Sequence, residues 1–265
     1  MGIETIVFLV FAASFAGFVD AVAGGGGLIQ LPALLIGIAE KPIPTILGTN
    51  KVISIFGTTT AAANYFRTVK PDLKLTSYMA VPAFIGSALG ARLASSFPTP
   101  VFRPLIIFLL ILVAIYTWRK PELGISEKLK FTQRQRHQIV FVMGLTIGFY
   151  DGIFGPGTGT FLIFLLVGLV GYGFLKASAT AKFINIATNL GAIISFQLTG
   201  HIWWKLGLAL AIANVCGAII GSRLAIRGGS PLVRKVFLVV TTILIAKVGY
   251  DWLVMIERLN VKKLA

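Results

Sequence analysis

Ten apolar stretches, separated by short loops that hold most of the lysines and arginines, occupy nearly all of this 265-residue chain. They cover 3–23, 28–39, 46–66, 75–96 and 101–118. Beyond a polar stretch at 119–137 they resume over 138–154, 159–170, 178–198, 202–226 and 232–256. Most approach the roughly 20 residues that cross a hydrocarbon layer. In that solvent a chain must satisfy its own backbone N–H and C=O groups, so such runs become helices. Only 12% of the residues are charged, against about 25% in soluble domains. The fold class expected is an all-α polytopic membrane protein. The stretches at 28–39 and 159–170 are too short for a crossing: about 12 residues at 1.5 Å each span about 18 Å, against a core near 30 Å. The expected count is therefore eight to ten transmembrane segments.

Several classes fall away. The first apolar stretch has Glu4 as its only early charge and no small-residue cleavage site, so it reads as a retained span rather than a signal peptide. The net charge of +15 is spread through short loops. That is the positive-inside bias of membrane proteins, not a folded basic face for nucleic acid. The single Cys216 excludes an intrachain disulfide, and His137 and His201 make no metal cluster. Neither glycine stretch is followed by Gly-Lys-Ser/Thr, so there is no P-loop. No nucleophile–base or metal constellation supports an enzyme, and no cofactor is expected.

The chain is internally duplicated. Residues 16–103 match residues 131 positions later without a gap, the offset being 151 − 20 = 131. The informative pairs are Asp20/Asp151, Gly24/Gly155, Gly26/Gly157, Lys51/Lys182, Lys74/Lys205, Gly86/Gly217, Gly90/Gly221, Arg92/Arg223 and Arg103/Arg234. The expected domains are a first membrane repeat at 1–118, a basic cytoplasmic linker at 119–137 and a second membrane repeat at 138–265. An odd number of crossings per repeat makes the two inverted repeats, of about five helical segments each. With both termini outside, the inner loops hold more Lys and Arg than the outer ends. That orientation puts the linker in the cytoplasm.

Each repeat breaks its helix at the same place. "FVDAVAGGGG" and "FYDGIFGPGTG" end one helix and start another, and irregular backbone at membrane depth is tolerated where it lines a cavity. Inverted repeats with Gly-interrupted short segments point to a transporter site where half-helix ends meet. Gly24, Gly25, Gly26, Gly27, Gly155, Gly157 and Thr158 would supply free N–H groups and positive helix ends to an anion. Plain hinges or close packing are the alternative. Lys51 and Lys182 lie a few residues inside the third segment of their repeats, either in the site or snorkelling to a nearby surface. Thr49, Asn50, Thr180 and Asn185 cluster with them as hydrogen-bond donors. Asp20 and Asp151, four residues before each break, would repel an anion. Three roles suit them: pairing with Lys51 or Lys182, carrying a proton, or hydrogen-bonding the broken backbone. Gly86-x-x-x-Gly90 and Gly217-x-x-x-Gly221 are small-residue packing faces.

"GFVDAVAGGGG", "LGTNKVISIFGT", "GFYDGIFGPGTGTF" and "ATAKFINIATNLGAIISF" resemble the signature stretches of the TauE/SafE family of sulfite and organosulfonate exporters, in its YfcA-type branch. The resemblance spans residues 5–255. It implies a secondary transporter of small sulfur-containing anions in the bacterial inner membrane, working by alternating access with the proton gradient. An anion channel, or a transporter of another small carboxylate or oxyanion, is the alternative. The partners implied are the lipid bilayer, a small anionic substrate and protons; a homo-oligomer is compatible with such a chain.

Overall fold

The computed structural model describes residues 1–94 and 127–264. The expected segment 101–118 and the linker as far as residue 126 lie outside them. Helix α1 (Ile3–Ala23) stops at Gly24, whose left-handed backbone, φ 76°, is open to glycine at little steric cost. The Gly24 N–H donates to the Asp20 carbonyl at 2.9 Å. After that turn comes α2 (Gly27–Gly37), only 11 residues long. It folds back along α1, so that Gly37 rests on the Leu9 side chain. Helix α3 (Ile43–Val69, 27 residues) is a full-length helix of about 40 Å. Helix α4 (Leu73–Leu93) is capped by the Asp72 carboxylate, which accepts from Leu75 N at 3.1 Å.

Helix α5 (Gln133–Ile153) begins before residue 138, where the linker was expected to end. The reason is local. Thr132 and Gln135 form a reciprocal capping box, so "TQRQ" is a helix start that polar composition disguised as loop. Helix α6 (Thr158–Leu165) passes into a single π-helical turn, Leu166–Val170, that ends at Gly171. Helix α7 (Phe174–Leu198) follows. Last is α8 (Trp204–Leu264), which takes in both of the final apolar stretches and breaks at Gly229, φ 63° and ψ −166°, just before Pro231. Ile3–Ala23 and Trp204–Val240 are each long and apolar enough to cross a membrane.

Close packing is repeated between the halves at the same offset. Gly86 and Gly90 set α4 against the backbone of Leu145 and Phe149 in α5. Gly217 and Gly221 set α8 against the backbone of Ser14 and Phe18 in α1. These are one contact made twice, since 145 − 14 and 149 − 18 both equal 131. A side chain at any of the four glycines would collide with backbone, so the helices approach as only small residues allow. Helices α3 and α7, equivalent by the offset, run in opposite directions. Gly48 meets Phe196 near one end, and Tyr65 meets Ser178 near the other. The distribution of polarity is that of a lipid-facing body. Ile3, Phe11, Ile212 and Ile220 are exposed, whereas Asn50, Lys51, Asp151 and Lys182 are buried.

Candidate functional site

The two glycine breaks meet. Gly24 packs directly on the Gly159 backbone, and Gly27 lies against Pro156 and Gly155. Neither approach leaves room for a Cβ without displacement, which is the physical demand behind both glycine clusters. Between the breaks is a cavity of about 30 Å³, bordered by residues of both halves. It holds one or two water-sized groups. Gly27 and Thr158, the first residues of α2 and α6, border it, so two positive helix ends face one space.

Each lysine crosses to the other half. The Lys51 ammonium lies 2.6 Å from Asp151 Oδ2, the side chains 2% and 5% exposed. The Lys182 ammonium lies 3.0 Å from Asp20 Oδ2, the side chains 0% and 19% exposed. Lys182 also donates to the Asp20 backbone carbonyl. Both ammoniums are therefore neutralised within the site and do not snorkel. Such desolvated charges persist only because each has a partner. Lys51 also depends on a missing side chain: a Cβ at Gly155 would lie 2.8 Å from its nitrogen.

The last turn of α1 is tied down carbonyl by carbonyl. Tyr65 donates to Ala21 O at 2.9 Å, Ser178 to Val22 O at 3.1 Å and Thr160 to Ala23 O at 3.2 Å. Helix C-terminal carbonyls have no partners of their own, so three other elements hold this break open. By the 131-residue offset, the positions equivalent to Tyr65, Ser178 and Thr160 are Phe196, Leu47 and Ile29. These apolar residues make no such bonds at the second break.

Of the residues singled out in the sequence, Gly24, Gly27, Gly155, Thr158, Asn50, Lys51, Asn185, Asp20 and Asp151 border the cavity. Lys182 stands behind Asp20. The rest lie elsewhere. Gly25 packs on Val240 and Gly26 on Ala16, and Gly157 turns the chain with φ 82°. Thr49 donates to Thr45 O and accepts from Trp203 N, while Thr180 donates to Lys176 O. These hydroxyls serve helix geometry and leave no donor for the cavity. Gly159 of the second break also borders it, and three further bordering residues, Ser54, Thr58 and Asn189, were missed. The signal was available. Lys51, Ser54 and Thr58, like Lys182, Asn185 and Asn189, are spaced i, i+3, i+7 and so share one helix face. The offset pairs Ser54 with Asn185 and Thr58 with Asn189.

The family model for the sulfite exporter TauE/SafE matches residues 9–248. The chain belongs to the TauE/SafE family. Its relatives include a probable membrane transporter protein from a Sinorhizobium species, ORF9, 39% identical over 95% of both chains. A probable membrane transporter protein of Haemophilus influenzae is 33% identical over 95% of this chain and 97% of its own length. The protein YfcA of Escherichia coli K12, named in the same way, is 34% identical over 92% of this chain and 89% of its own. No solved structure matches the chain significantly. A TauE/SafE member with apolar helices and a buried polar centre is an integral membrane protein and a membrane transporter.

Proposed function

We propose that the chain is a secondary transporter that exports small sulfur-containing anions, sulfite or organosulfonates, across the bacterial inner membrane. It does so by alternating access between two inverted repeats, driven by the proton gradient. The observation that carries this reading is the pair of crossed Lys–Asp bridges at the meeting point of two broken helices. They join the halves at a place where backbone N–H groups, helix N-termini and neutral polar side chains surround a cavity. An arriving anion competes with the aspartates for the lysines. A proton reaching Asp20, the more open carboxyl at 19% exposure, would break the same bridge from its other partner. Anion and proton thus open the bridge in turn, the anion as it leaves and the proton as it enters, and each opening lets the halves rock.

The test is sulfite flux in liposomes carrying the purified protein. Flux that saturates and accelerates under an imposed pH gradient is expected. Substituting Asp20→Asn should make flux indifferent to that gradient. Flux linear in sulfite concentration would instead show a channel.

A further inference from the structure

Asn50 and Asn185 border the cavity, are 3% and 6% exposed, and leave their amide oxygens without a hydrogen-bond partner. They belong to opposite halves. A primary amide offers both a donor and an acceptor, so a ligand with acceptor oxygens alone can match only half of each group. The formal charge beside them is already balanced, two lysines against two aspartates. A dianion entering there would carry two uncompensated charges into a low-dielectric space.

Resting on the anion-transport reading above, we propose that this site selects monoanions that carry a hydrogen-bond donor of their own: a hydrogen oxyanion, or a sulfonate with a hydroxyl group. The cavity of about 30 Å³ admits only water-sized groups, so the ligand enters as a Lys–Asp bridge parts, its acidic head taking the helix ends and the released lysine. The ligand's O–H donates to the amide oxygen of Asn50 or Asn185. Leaving a buried acceptor unmatched is costly, and sites built to bond a substrate hydroxyl reject the analogue that lacks it far more sharply than an apolar pocket rejects a methylene. Fully ionised dianions and purely apolar sulfonates are the ligands the site turns away.

The probes are isethionate and 1-propanesulfonate, which have the same number of heavy atoms and differ by a terminal hydroxyl in place of a methyl. Binding to the detergent-purified protein is measured calorimetrically for the wild type, Asn50→Leu and Asn185→Leu. The expected result is isethionate binding at least tenfold tighter to the wild type. That ratio falls towards one in at least one leucine variant, whose fold is checked independently by its circular dichroism and melting temperature. Equal affinities in the wild type, or an unchanged ratio in both variants, overturn the proposal. If neither sulfonate nor sulfite binds the wild type, the anion-transport reading itself fails.

Discussion

Lys51 and Asp151 lie in different halves of the chain, yet their charged atoms are 2.6 Å apart and almost wholly hidden from solvent. Removing either one strands the other. Lys51→Met should destabilise the protein by about 3–5 kcal/mol, the cost of breaking a buried pair on one side. Adding Asp151→Leu should restore much of that loss. Thermal melting of the two single variants and the double variant in detergent checks this. A double variant no more stable than Lys51→Met alone would show that the bridge is not a closed unit.

The repeated helix contact makes a second prediction. Gly86→Val and Gly217→Val place the same side chain against Leu145 and Ser14 backbone respectively. Overpacking of this kind costs about 1–3 kcal/mol or more. The two variants should lose stability by similar amounts, measured as melting temperature. A large loss in one and none in the other would mean that the two contacts are not equivalent.

Tyr65→Phe keeps the ring and removes the hydrogen bond to Ala21 O. An unmatched buried carbonyl costs about 1–3 kcal/mol. The variant should insert normally but melt earlier and transport more slowly, because the end of α1 at the first break is less firmly held. Unchanged melting and unchanged flux would relegate the hydroxyl to a bystander.

Orientation supplies a fourth prediction. A reporter active only in the periplasm should be active when fused after Ala265, and one active only in the cytoplasm should be active when inserted after Lys128. The reverse pattern would invert the reading drawn from the Lys and Arg distribution.

Much of this was legible in the sequence because it depends on near neighbours along the chain. The bounds of α1 follow from an apolar run ending in glycine, and α2 and α6 begin within a residue of the expected short stretches, though α2 ends two residues early and α6 gives way to a π turn at Leu166. The repeated packing of Gly86 and Gly217 follows from the offset. The start of α5 was hidden, since the Thr132–Gln135 box looks like any polar stretch when apolar length is the guide. Which lysine meets which aspartate was illegible for a different reason. Partners 100 and 162 residues apart are set by how α3 and α7 cross, and no local pattern records that. Thr49 and Thr180 were misjudged because a hydroxyl beside a lysine in sequence points elsewhere once the helix turns by 100° per residue.

The crossed bridges also govern the order of synthesis. Lys51 enters the bilayer a full hundred residues before Asp151 has been made, and Asp20 waits longer still for Lys182. A lone lysine or aspartate at a helix centre costs about 2.5–3.5 kcal/mol to insert. Each nascent half therefore carries a lysine and an aspartate whose partners in the finished fold both lie in the other half. The first half is a provisional guest of the membrane until the second arrives to complete both pairs.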